Sequence, residues 1–227
     1  MTKARISARS GRICRAHSLR SREQMKDMKD LPLTISRSLS TRTRNHFRST
    51  DSDGRHAAVL ILLLEGENEY DVLFTKRTHE VGHHKGQISF PGGAVEAEDE
   101  SLRETVLREA DEEIGLMRED VEILGRIDYN LTLFSNFVVH PFAGVVSYPY
   151  DFKINPAEVA RLLVVPLHVF HPDNPEYRRD TAEYEGVTYR GVAYEYEGDI
   201  IWGATARMME NFMNIVGEKI PLSSIMR

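Results

Sequence analysis

Three carboxylates, Glu109, Glu112 and Glu113, crowd into the stretch FPGGAVEAEDESLRETVLREADEEIGL between Phe90 and Leu116. Positions i, i+3 and i+4 share one face of a helix, so a helix here projects all three to the same side. Like charges placed this way repel unless a cation compensates them. Clustered hard oxygens suit Mg²⁺ or Mn²⁺, ions that keep some waters and share their coordination with phosphates. A bare ExxEE by itself reads more readily as a solvated acidic face than as a metal site. Three neighbours favour the metal site: a Gly-Gly turn precedes the helix, Arg108 lies one turn from both Glu104 and Glu112, and Gly115 suits a C-cap. Asp99 or Ser101 is placed to cap the start, while Val106, Leu107, Ala110 and Ile114 form a separate apolar stripe for a core.

The segment resembles the Nudix box, in which a Gly is followed by Glu and then by Arg-Glu-x-x-Glu-Glu-x-Gly. The matching positions are Gly93, Glu100, Arg108, Glu109, Glu112, Glu113 and Gly115. Six residues separate Gly93 from Glu100 where the general pattern has five. Upstream, LFTKRTHEVGHHKGQISFPGG from Leu73 to Gly93 is similar to the second signature of the coenzyme A diphosphatase branch, through Thr75, Arg77, His84, Gly86, Gln87, Phe90, Pro91, Gly92 and Gly93. That branch carries the same extra residue in its box. NPAEVARLLVVPL from Asn155 and IWGATARM from Ile201 also look like it.

The resemblance implies metal-dependent hydrolysis of a nucleoside diphosphate joined to another group. For this branch the substrate is coenzyme A or a derivative, split to 4′-phosphopantetheine (or its acyl form) and adenosine 3′,5′-bisphosphate. Other Nudix substrates, such as ADP-ribose, dinucleotides or nucleoside triphosphates, stay open, as does a silent nucleotide-sensing domain. Glu109, Glu112 and Glu113 are the expected ligands of Mg²⁺ or Mn²⁺. The Gly93 carbonyl is a further ligand, since glycine lets backbone approach closely. Arg108 is expected to orient a ligand carboxylate, and Glu158 is the first candidate for a general base. Arg77, His84 and Lys85 are the candidates for binding substrate phosphates. Glu100 is either an outer metal ligand or a solvated edge. Phe134, Phe137 and Trp202 read as core in preference to an adenine platform.

To hold these groups the sequence offers a mixed α/β fold. Strand patterns cover Ala57–Leu64, Val72–Lys76, Gln87–Ser89, Val121–Asp128, Phe137–Val146 and Leu162–Pro166. Glu185–Gly198 alternates like a hairpin or a strand pair. Helices are expected at Leu31–Leu39, at Pro156–Leu162 with Asn155 as cap, and at Gly203–Val216. A mixed sheet flanked by helices fits this order, and the resemblance implies the Nudix α/β/α sandwich.

The 227 residues suffice for one sizeable domain, divided as a basic extension at 1–30 and a Nudix domain at 31–227. A net charge of −6 conceals an asymmetry: residues 1–50 hold thirteen Lys/Arg against three Asp/Glu. The remainder is strongly acidic, which argues against nucleic acid as a partner and for a small-molecule substrate. The tail admits three readings: an overlong start or extension without a role, an organellar targeting segment, or a basic binding arm. The single cysteine, Cys14, points weakly to a reducing, cytoplasmic setting, and no apolar run is long enough to imply a membrane span. A homodimer is left open.

Overall fold

In the computed structural model, the described residues are 30–42, 54–67, 69–78, 86–132, 136–184 and 186–225. Residues 1–29 of the basic extension, His84, Lys85 and Phe134 lie outside them. The elements that matter here are α1 (Leu31–Thr41), β1 (Arg55–Glu65), β2 (Tyr70–Arg77), β3 (Ile88–Ser89), β4 (Gly92–Ala94), α2 (Leu102–Ile114), β5 (Glu122–Arg126), β6 (Asn130–Leu131), β7 (Phe137–Ser147), β8 (Val159–Pro166), β9 (Arg178–Tyr184), β10 (Val187–Tyr196), β11 (Asp199–Ile201) and α3 (Gly203–Val216).

The central strand is β1, the longest apolar run of the chain. It pairs in parallel with β7 along its whole length, from Arg55 opposite Phe137 to Glu65 opposite Ser147. Its other edge is shared: β4 takes the first half through Ala57–Val59, and β2 takes the second half through Leu62–Glu65, both antiparallel. The sheet continues through β8 and β3 beside β2 and through β5 and β6 beside β7.

Both faces of β1 are buried, which explains its unbroken hydrophobicity. Ala58, Leu60, Leu62 and Leu64 pack with Val106, Leu107, Ala110 and Ile114 of α2. Ala57, Ile61 and Leu63 point the other way, into a core with Leu31, Ile35 and Leu39 of α1 and Ala206, Met209, Phe212 and Met213 of α3. The result is helix, sheet and helix, the α/β/α layering expected from the sequence. The apolar stripe of α2 forms as read, and α3 spans the expected residues.

Two expectations need correction. Pro156–Leu162 is not a helix. Asn155 does cap a turn, its Oδ1 accepting Ala157 N at 3.1 Å and its backbone carbonyl accepting Glu158 N at 3.1 Å and Val159 N at 2.9 Å, but the chain then enters β8. The open edge of β2 decides this, pairing Arg77 with Val159 and running on to Asp71 opposite Pro166. A strand rich in Val and Leu gains more from that ladder than from isolated helical turns. Likewise, Glu185–Gly198 is neither a hairpin nor a strand pair within itself. Its alternating residues form the single strand β10, paired with β9 on one side and β11 on the other. Gly186 and Gly198 make the turns at its two ends, with φ of +78° and +84°, a region that glycine occupies without strain.

Candidate functional site

A helix must start and stop cleanly to aim carboxylates, and α2 does both. Ser101 Oγ accepts the Glu104 N–H at 3.2 Å, satisfying one of the open donors of the first turn. At the other end Gly115, at φ +65°, donates to Asp111 O at 2.8 Å and reverses the chain. Ahead of the helix, β4 lays the Gly-Gly pair against β1. Gly92 has φ +147°, and a Cβ there would run into the backbone of Ala58 and Val59. A Cβ on Gly93 would instead collide with the carboxylate of Glu109. Glycine at 93 is therefore what lets this acid lie against the backbone of β4. Gly93→Ala should push Glu109 aside and lower both turnover and Mn²⁺ affinity about tenfold, as read by kinetics and calorimetric titration. Wild-type values for both would show that this contact is not needed.

The three acids do not share one environment. The Glu113 side chain is only 2% exposed; its Oε2 accepts the Gly92 N–H at 3.2 Å, and its Oε1 lies 3.8 Å from Arg77 Nη1. Burial pushes its carboxyl up to about 8, with Gly92 and Arg77 pulling it down and the charges of Glu109 and Glu158 adding to the rise. Burial also raises Glu109, which Arg108 counteracts and Glu112 and Glu158 reinforce. Glu112 differs: its side chain is more than half exposed. The single acidic ridge expected from spacing is thus two acids turned inward and one at the rim.

Arg108 is the hub. Its Nε and Nη2 grip Asp99 Oδ1 and Oδ2, both at 3.0 Å, in a two-pronged pair. The same guanidinium donates through Nη1 to Glu109 Oε1 at 3.1 Å and Glu112 Oε2 at 3.0 Å, and through Nη2 to Ala94 O at 3.2 Å. Glu104, read from the sequence as a second partner, pairs with Arg118 instead. Asp99 was legible only as a possible cap, yet it anchors Arg108. The Arg108 fork beside it holds its carboxyl well below the usual carboxylate range, and Glu96 N and Thr105 Oγ1 donate to its Oδ2 at 2.9 Å each. Distance in sequence hid this pairing, because Asp99 lies ahead of the helix that carries Arg108.

Arg77 and Glu158 join the same cluster from other elements. Arg77, at the end of β2, has a buried Nε with no hydrogen-bond partner among the described residues. Glu158 stands in the turn before β8 and is felt electrostatically by both Glu109 and Glu113. Glu100 is exposed. Phe137 is half-buried under the Arg55 guanidinium, and Trp202 is half-buried with ring centroids 5.2 Å from Tyr184 and 5.1 Å from Tyr189.

Among the described residues, no three acidic, histidine or cysteine side chains converge at metal-ligating distance. Arg108 stands between Glu109 and Glu112, and Glu113 turns to Gly92 and Arg77. The donor chemistry nevertheless fits a hard divalent cation: buried, mutually repelling carboxylates lie against a glycine backbone, with raised proton affinities that a cation would relieve.

Residues 54–184, more than half of the chain, match the NUDIX domain family. A Yersinia pestis protein named an uncharacterized Nudix hydrolase, NudL, is 35% identical over 169 residues, covering 74% of this chain and 82% of its own. Among solved structures, a Nudix hydrolase from Alicyclobacillus acidocaldarius is similar at a TM-score of 0.49 and 19% identity, over 78% of this chain and all of its own. A C. elegans Ap4A hydrolase is similar at a TM-score of 0.43 and 16% identity, over 54% of this chain and 84% of its own. With the box residues gathered on α2 and its flanking turn, and the family match spanning both, this chain belongs to the Nudix hydrolase family.

Proposed function

We propose that the protein hydrolyses the diphosphate bond of coenzyme A or a close derivative, with Mg²⁺ or Mn²⁺ as cofactor. The observation that carries the reaction is Glu113, a carboxylate buried beside Glu109 and the Gly92–Gly93 backbone and raised to about 8 by that burial. An acid kept out of water among other acids has a use where a cation and a phosphoanhydride meet. The signature from Leu73 to Gly93 supports the coenzyme A branch over other nucleotides.

Glu109, Glu112, Glu113 and the Gly93 carbonyl would hold the metal. Bound there, it would neutralise the diphosphate and acidify a water. Arg108 sets the carboxylates of Glu109 and Glu112 while Asp99 keeps its own orientation. Arg77, with Nη1 3.8 Å from Glu113 Oε1, supplies the positive charge beside the carboxylates that a phosphate oxygen would meet. Glu158 takes the proton of the attacking water as its oxygen forms the new bond to phosphorus. The bridging P–O bond breaks, and the leaving group departs as a phosphomonoester anion. For coenzyme A the products are 4′-phosphopantetheine and adenosine 3′,5′-bisphosphate.

A substrate panel tests this. Purified protein with Mg²⁺ should turn over coenzyme A with the highest kcat/KM among coenzyme A, acyl-coenzyme A, ADP-ribose, diadenosine polyphosphates and nucleoside triphosphates. A kcat/KM for ADP-ribose about a hundredfold above that for coenzyme A, a difference of about 2.7 kcal/mol in transition-state binding, would overturn the substrate assignment.

A further inference from the structure

Asn155 stands where three parts of the molecule meet. Its backbone N–H donates to Glu113 O at 2.9 Å, one of the carbonyls that the end of α2 leaves open. Its side-chain Oδ1 accepts the Ala157 N–H at 3.1 Å, and its Nδ2 donates to Glu158 Oε1 at 3.1 Å. These two contacts select one orientation of the amide, since the reverse would set donor against donor and oxygen against carboxylate. From the opposite side, Thr78 N donates to Glu158 O at 2.9 Å and Thr78 Oγ1 donates to Ala157 O at 3.1 Å. The turn bearing Glu158 is therefore tied to the last turn of α2, which carries Glu113. It is also tied to the end of β2, which carries Arg77.

We propose that Asn155 is a positioning residue whose amide holds the Glu158 carboxylate toward the Glu109–Glu113 pair, in place to take the proton from the attacking water. This inference rests on the hydrolase reading above and adds to it the group that aims the base. A cap alone needs only the Oδ1 contact, which Asp or Ser supplies equally well. The contact to Glu158 needs a donor. Aspartate in the same place would keep the turn but set a second carboxylate about 3 Å from the first, where like charges repel.

The test is a double-mutant cycle, with Asn155→Ala and Asn155→Asp each made alone and in a Glu158→Gln background. Turnover is measured with Mg²⁺ and the best-hydrolysed compound of the panel, and thermal unfolding is followed in parallel. Asn155→Ala should lower kcat about tenfold with KM changed less than about twofold, and Asn155→Asp should lower kcat further. In the Glu158→Gln background neither change should lower kcat again, because the carboxylate they act through is gone. Wild-type kcat in Asn155→Asp would overturn the inference. So would an equal fractional loss with and without the Glu158 carboxylate, since that marks a purely structural role. Full kcat in Glu158→Gln alone would leave Asn155 nothing to aim and would also end the inference, with metal-dependent hydrolysis standing. Failure of the wild type to hydrolyse any compound of the panel would instead overturn the hydrolase reading itself.

Discussion

Glu113→Gln should lose turnover by on the order of 10²–10³-fold while the metal-free protein becomes more stable at pH 8. The two halves come from one cause. Glu113 is 2% exposed, and burial pushes its carboxyl from 4.5 up to about 8. A group raised on folding contributes its full stability below its unfolded value, where it is neutral in both states. That contribution fades as pH climbs through the folded value. The metal-free wild type should therefore lose thermal stability relative to Glu113→Gln between about pH 4.5 and pH 8. Glutamine keeps an oxygen for the Gly92 N–H but cannot ionise. With Glu113 as the proposed ligand, the ionised acid is the form that would take the metal, so Mn²⁺ should raise the Tm of the wild type more at pH 8 than at pH 5.5, and that of the variant much less. Differential scanning fluorimetry across that range, beside kinetics, reads every part. Equal Mn²⁺ shifts in the two proteins would place the metal elsewhere.

Arg108→Ala should be strongly destabilising, costing about 1.5–3 kcal/mol in urea unfolding. The reason is less the lost attraction than the partner left behind. The Asp99 side chain is only 4% exposed and takes both prongs of the guanidinium. Stripped of them its carboxylate, shielded from water by its neighbours, keeps Glu96 N and Thr105 Oγ1 for support. Arg108→Lys keeps the positive charge but not the fork, so it should fall between alanine and wild type. The double variant Asp99→Ala/Arg108→Ala should recover part of the loss, because the orphaned acid is gone. If the double variant is as unstable as the sum of the singles, Asp99 and Arg108 are not energetically coupled.

How far these groups could be read in advance follows from the range over which each interaction acts. The caps of α2 and its apolar stripe are local, set within one or two turns by residue type and spacing, and both are found as read. So is β1, whose apolar run carries both core faces at once. Pro156–Leu162 misled because a local cap signal at Asn155 is real but extends for only one turn. The edge of β2, some eighty positions earlier, then recruits the segment as a strand. The β10 region misled in the same way, since alternation marks a strand without naming its partners.

From the sequence alone came the carboxylate set, the glycines before it and the Arg that serves them, because a helix periodicity and a turn need only neighbours. Which acid is buried, which remains at the rim, that Asp99 holds Arg108, and that Asn155 joins Glu158 to the end of α2 were decided only in three dimensions. Burial and long-range pairing depend on what the rest of the chain brings alongside, and a carboxylate has no raised proton affinity until other elements have closed water away from it.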